Sequence, residues 1–300
     1  MKTGIVILLA VIGAALYAVS NVLEHHEARR APPEVNLRAG LILYLVRRRI
    51  WLIGMACDVI GFFFHAAAFG LGSLVIVAPV LATGLIFSLG LGAVMDRRPL
   101  SRREWIAAFA LVAGLAAFLV VGNPHGGRAT AGARSWIVTL LVMVPLIVTA
   151  LLTTRVTSGS IRAMFLGITS GLIYGLTAPV TKSVVHQLGD GPLTILVHGE
   201  AYALAVLSIA GLIITQSAFQ SGRLAAALPG IEATEPVVTV VLGLALLGER
   251  LTATTIATKA VIPLAAAVMF VSVVVLARWA GEDEERSGRS DHTGRVTDLA

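Results

Sequence analysis

The chain has 300 residues, of which 57% are hydrophobic and only 13% charged, with a formal charge of +6 and one cysteine. Soluble domains carry about 25% charged residues, so a water-soluble domain of this length is excluded for want of polar surface. The lone Cys57 excludes an internal disulfide and a Cys-rich zinc site, and the arginines lie between apolar runs instead of forming a basic face, which speaks for a membrane protein and against a nucleic-acid partner.

Nine apolar runs are long enough, at roughly 17–25 residues, to cross a bilayer as helices: near 3–23, 50–70, 72–95, 105–122, 135–153, 163–187, 193–216, 223–247 and 254–277. The first is too long, and its basic flank (Lys2) too slight, for a cleaved signal peptide. "LEHHEARR", Leu23 to Arg30, follows it. Its histidines are adjacent and not four apart, so they do not make a zinc helix, and the segment reads as a solvated juxtamembrane stretch. Asn36 to Arg49 is apolar for only about ten residues, which predicts an interfacial or partly inserted helix and not a span.

The second span carries Asp58 and His65, about two turns apart on one helical face. "GNPHGGRATAGAR", Gly122 to Arg134, has no preceding strand and no Gly-Lys-Ser/Thr ending, so it is a loop and not a phosphate cradle. Gly167, Gly171 and Gly175 on the sixth span let another helix approach closely, inside the chain or in a homodimer. Lys182 and Lys259 lie near outer helix ends, where they snorkel or serve as counter-charges. Glu200, beside His198, enters the seventh span as a partner for one of these lysines or as part of an outer vestibule. The eighth span holds Glu232 and Glu235 between Pro229 and Pro236. Each proline removes a donor and disfavours helix in the residue before it, so a broken helix beside two carboxylates is expected. From Gly281 the chain is polar and lacks aromatic residues, the composition of a disordered extension.

Most of the 23 Lys and Arg fall on one side when the N-terminus is placed outside: Arg29 to Arg49, Arg97 to Arg103, Arg155, Arg162, Arg223, Arg278 and the tail are then cytoplasmic. The chain also repeats itself. "AFGLGSLVIVAP" from Ala68 and "AFQSGRLAAALP" from Ala218 share A-F-x-x-G-x-L-x-x-x-x-P at a constant offset, each followed by an apolar helix and a charged turn. "ALYAVSNV" in the first span weakly echoes "LIYGLTAPV" in the sixth. The plan is an all-α polytopic membrane protein of two four-helix repeats, 1–122 and 163–280, joined by 123–162 with the fifth span and followed by the tail 281–300. One linking helix between two even units makes the repeats inverted, an arrangement common in secondary transporters.

"IEATEPVVTVVLGLALLGERLT" resembles the signature of the drug/metabolite transporter superfamily (EamA-like). "RRRIWLIGMACDVIGFFFHAAAFGLGSLVIVAP", through Trp51, Gly54, Gly61, Ala67, Ala68, Val77 and Pro79, is similar to the NIPA-type magnesium transporter branch, as is "ITQSAFQSGRLAAALP" through Thr215, Gln216 and Pro229. The resemblance implies a secondary transporter working by alternating access on a small solute or a divalent cation. The chain departs from the branch at Phe62, where the branch has a carboxylate, and at His65, where it has an amide. A hard cation wants oxygen ligands, so these two positions weaken magnesium against an organic solute.

An ionisable residue at the bilayer centre costs roughly 2.5–3.5 kcal/mol, so Glu235, Glu232, Asp58, His65, Glu200 and Lys182 are the candidate substrate- or ion-binding residues. Structural hydrogen-bonded groups are the alternative for each. With no nucleotide motif, no nucleophile–base pairing and no zinc helix, the chain reads as neither an ATPase nor another enzyme, and no cofactor is expected. The rival class is a non-transporting membrane subunit or scaffold that shares the fold.

Overall fold

The computed structural model describes residues 2–71, 80, 83–97, 99–122, 128, 130–189, 191, 197–250 and 256–297. Among them the chain is all-helical: α1 (Lys2–Ala28), a 3-10 turn (Pro33–Val35), α2 (Ala39–Leu45), α3 (Arg49–Leu71), α4 (Gly84–Met95), α5 (Arg102–Gly122), α6 (Ala133–Thr153), α7 (Gly159–Gly189), α8 (Gly199–Ser221), α9 (Leu224–Leu247) and α10 (Ile256–Thr297). Seven of these, α1 and α5 to α10, are long and apolar enough to cross a membrane. Residues 72–79, most of the first copy of the repeated motif, lie outside the described residues.

Helix α7 is the centre of the bundle, with 67% of its apolar window buried, and α6 lies at the edge with 11%. α9 and α8 both pack on α7, α1 packs on α3 and α4, and α5 packs on α10. The α7–α9 contact follows from the glycine row. A Cβ at Gly167 would fall on the Ala227 carbonyl, one at Gly171 would lie 3.0 Å from the Ile231 oxygen, and one at Gly175 would lie 3.1 Å from the Glu235 oxygen. Glycines one turn apart thus face carbonyls one turn apart. In lipid, where apolar surface gives no net drive to associate, such close van der Waals fit holds helices together. The row is therefore used within the chain.

Three expectations are revised. α9 runs unbroken through Pro229 and Pro236. Leu224 to Ile231 are all buried, and packed neighbours in a bilayer hold a helix past the donors that proline removes. α10 continues as helix to Thr297, past Gly281 where the composition predicts disorder. The stretch is poor in good helix formers, with three glycines and several Ser, Thr and Asp, and its helix extends an existing one, which needs no costly nucleus. The third revision concerns Leu23 to Arg30. Glu24, His25 and Glu27 are buried, not solvated.

These three residues belong to a polar network at the arginine-rich end. Glu24 accepts from Ser20 Oγ at 2.9 Å and from Gln216 Nε2 at 2.6 Å, and Trp51 Nε1 donates to Gln216 Oε1 at 3.2 Å. His25 Nε2 lies 3.0 Å from the Gly222 carbonyl. Glu27 pairs with Arg48 at 2.6 Å and with Arg30 at 3.1 Å. The Asn36 amide reaches Gln220 Oε1 at 2.6 Å and accepts from Arg162 at 2.9 Å. At α5, Ser101 and Glu104 form a reciprocal capping box, and the buried Glu104 carboxylate also meets Arg223 at 3.5 Å. The short α2 docks beside this network through Leu41 and Leu45, which pack with Ala31 and Trp51. The ends of α1, α3, α5, α7 and α8 are thereby tied into one closed face.

Two substitutions check this packing. Gly171→Val places a Cβ 2.7 Å from that of Thr234 and is expected to cost at least about 1–3 kcal/mol by overpacking. Gly4→Ala, with nothing within 4 Å, is the control. Thermal unfolding in detergent with equal melting temperatures for both would refute the glycine-row account. Gln216→Leu strips Glu24 and Trp51 of a shared partner and is expected to cost about 1–3 kcal/mol. An unchanged melting temperature would show that the network does not hold this end together.

Candidate functional site

Helix geometry aims the two glutamates of α9. Ala227, Ile231, Thr234 and Val238 face α7. At about 100° per residue, Glu232 lies roughly 130° from the centre of that contact and Glu235 roughly 70°, so Glu232 points away from α7 and Glu235 lies on its flank. Glu235 is exposed and Glu232 half-buried, although the stretch before them is wholly buried. Residues after Pro236 are half-buried again until Val240. Glu235 is therefore left uncovered by other helices in the middle of a span.

Groups of α1, α3 and the flank of α7 lie near the glutamates. Asp58, Glu232 and Glu235 all lie within electrostatic reach of the Tyr17 hydroxyl on α1. Asp58, Glu235 and Glu24 lie within reach of the Tyr174 hydroxyl on α7, and Asp58 within reach of Glu24. Asp58 on α3 is half-buried. Glu232 and Glu235 act on each other directly, one turn apart on α9, and Asp58 shares with them only the surroundings of Tyr17 and, with Glu235, those of Tyr174. Among the described residues, Asp58, Glu232 and Glu235 have no hydrogen-bond or ion-pair partner, and no Lys or Arg neutralises them. No three His, Cys, Asp or Glu among the described residues converge tightly enough to cage a metal ion.

The other candidates lie elsewhere or beyond description. His65 is on α3 two turns past Asp58, and its side chain lies outside the described residues, as does that of Lys259. Lys182 does not pair with Glu200. It donates to Glu249 at 2.7 Å, in the turn that follows α9. Gly248 at φ 68 closes that turn, with the Glu249 amide donating to the Gly243 carbonyl at 3.0 Å. Lys182 and Glu249 thus form a tie at the end opposite the arginine-rich face. Glu200 sits half-buried in the first turn of α8, where a carboxylate complements the helix dipole.

Sequence reasoning missed Tyr17, Tyr174 and Glu24. The tyrosines carried a signal, since they occupy equivalent positions in the echo between the first and sixth spans. Thr215 contacts both Ser170, at 2.5 Å, and the Tyr174 hydroxyl, at 3.4 Å, which holds the Tyr174 hydroxyl in place. Glu24 was hidden because its burial depends on Gln216, far away in the chain.

No family model matches the chain, and no solved structure matches it. It is 30% identical over 245 residues to an uncharacterized protein of Corynebacterium glutamicum, an alignment that spans 81% of this chain and 85% of the relative. With that identity over most of both sequences, the chain belongs to the same protein family as this corynebacterial protein.

Proposed function

We propose that the protein is a secondary transporter of the drug/metabolite transporter type that moves a small cationic solute or a divalent cation by alternating access. The observation that carries this reading is that Asp58, Glu232 and Glu235, without an ion-pair partner among the described residues, all lie around Tyr17 in the middle of the bundle, with Glu235 exposed. Three carboxylates without counter-charges would cost roughly 2.5–3.5 kcal/mol each in a bilayer. Water and a cation beside them offset that cost. A divalent ion at such a site would keep much of its hydration shell and meet the carboxylates singly, as hard cations do when no closed cage is provided. Tyr17 and Tyr174 add hydroxyl oxygens and ring faces on which an organic ammonium also rests.

Packing supports the two-repeat, nine-span plan. Gly61 and Gly211 are related by the offset of the repeated motif, and each lies on the helix that packs against an echo tyrosine: a Cβ at Gly61 would lie 3.6 Å from the Tyr17 nitrogen, and one at Gly211 2.5 Å from the Tyr174 ring. Gly84 approaches Ala14, and their counterparts Thr234 and Gly171 approach each other likewise, with the glycine on the other partner. α4 meets α9 and α5 meets α10, as equivalent helices do around a pseudo-twofold axis. In this reading α3 and α4 complete the set of spans, the acidic cluster lies at the repeat interface, and the network of Glu24, Gln216 and Trp51 closes one end of the path. With the arginine-rich end cytoplasmic, the closed end is the inner one.

Transport by the purified protein in liposomes tests the proposal. Cation uptake, followed with Mg²⁺ and with a labelled organic amine, is expected above background. It should fall at least about tenfold in Glu235→Gln and less in Glu232→Gln, both with normal expression. Carboxylates this close titrate as a pair, so the pH profile is compared between the single and double variants. Wild-type rates and profile in the double variant would remove the cluster from the mechanism, and background movement of every solute by the wild-type protein would favour a scaffold. Orientation is checked separately in a Cys57→Ala background. Ser101→Cys is expected to react only from the cytoplasmic side, and labelling of intact cells from outside would overturn the topology.

A further inference from the structure

A cavity of about 390 Å³ lies at the arginine-rich end, between the turn joining α6 to α7 and the segment after α1, lined by Leu37, Leu151, Thr154, Arg155, Thr157 and Arg162. We propose that it binds the phosphate of an anionic lipid headgroup in the adjoining leaflet.

The lining has two guanidiniums and no carboxylate. Arg155 is exposed and has no ion-pair partner among the described residues. Among the described residues Arg162 is bound only by a neutral group, the Asn36 amide oxygen at 2.9 Å, and its buried Nε has no hydrogen-bond partner. That orphan donor is a cost the folded chain carries beside a cavity. The two threonine hydroxyls already donate to backbone carbonyls, Thr154 to Leu151 at 2.6 Å and Thr157 to Thr153 at 2.9 Å. The free donors facing an anion are therefore those of the arginines, whose planar fork matches phosphate oxygens.

Position decides between a lipid and a soluble anion. The cavity adjoins the last turn of α6, so it sits at the boundary between hydrocarbon and water. α6 is the peripheral span, and its Leu146, Val148 and Leu152 are exposed toward the surroundings. Leu37 and Leu151 give one wall an apolar character that suits a glycerol backbone and the first methylenes of an acyl chain. The volume, about a dozen waters' worth, exceeds the need of phosphate alone. Basic pockets between helices at this level suit anionic headgroups. Occupancy would also reach the closed end of the bundle: Arg162 holds Asn36, and Asn36 holds Gln220 and the Ser217 carbonyl at the end of α8.

Native mass spectrometry of the full-length protein, released from nanodiscs of phosphatidylcholine and phosphatidylglycerol, tests the site. The wild type is expected to retain phosphatidylglycerol over phosphatidylcholine. Arg155→Gln, which leaves the Asn36 contact intact, should lower that retention about tenfold, the scale of one charge-assisted hydrogen bond, with an unchanged melting temperature in lipid-free detergent. Arg162→Lys should retain more than Arg162→Gln, since the charge remains. Inorganic phosphate at millimolar concentration should not displace the lipid. Equal retention of both lipids, equal retention by wild type and Arg155→Gln, or complete displacement by inorganic phosphate would each overturn the proposal, the last in favour of a soluble anion.

Discussion

The close fit of α7 against α9 is the contact on which the rest of the structure depends. Gly167, Gly171 and Gly175 have no side chains to hold the helices apart, so the carbonyl side of α9 seats directly against them. This sets the rotation of α9 about its own axis as well as its distance. With Ile231 and Thr234 against α7, Glu232 has to turn away from it and Glu235 to lie on its flank. A side chain at Gly171 would lift α9 and also swing both carboxylates. Stability and the placement of the acidic cluster therefore rest on the same three missing side chains.

The acidic residues divide into two groups by their partners. Glu24, Glu27, Glu104 and Glu249 are each hydrogen-bonded or ion-paired, and they tie together helix ends that are distant in the chain. Breaking one buried pair leaves an uncompensated charge, which is far more costly than never having had the pair. These residues read as structural. Asp58, Glu232 and Glu235 lack such partners among the described residues, and Glu235 is exposed. The same side chain is thus a fastener at the ends of the bundle and a free group in its middle, which is why the middle group carries the functional proposal.

Among the described residues, which omit most of the loops at the opposite end, the polar ties gather at the arginine-rich end. The arginine-rich end is bound by many hydrogen bonds that join α1 and the segment after it to α8. The opposite end has the Lys182–Glu249 tie and the Arg128 amide donating to Leu247. In the proposed transporter, opening the arginine-rich end would require these ties to break together, and each is worth only about 0.5–1.5 kcal/mol net. Bonds of that strength hold one state without making the other unreachable.

Composition and hydropathy were sufficient to read the membrane class, the helical character and the approximate extent of seven spans, because burial in lipid is a property of a local stretch of about twenty residues. The glycine row and the in-span carboxylates were legible for the same reason: each is a pattern within one helix. Periodicity could not say what those patterns face. Whether Glu24 is solvated or held by Gln216, whether Lys182 meets Glu200 or Glu249, and whether two prolines break α9 depend on neighbours far away in sequence. Local rules predicted a break at the prolines and solvation for Leu23 to Arg30, and packing overrode both. Tertiary contact alone decided which acids are paired, since a carboxylate in a span carries the same local signal whether a donor from another helix reaches it or water does.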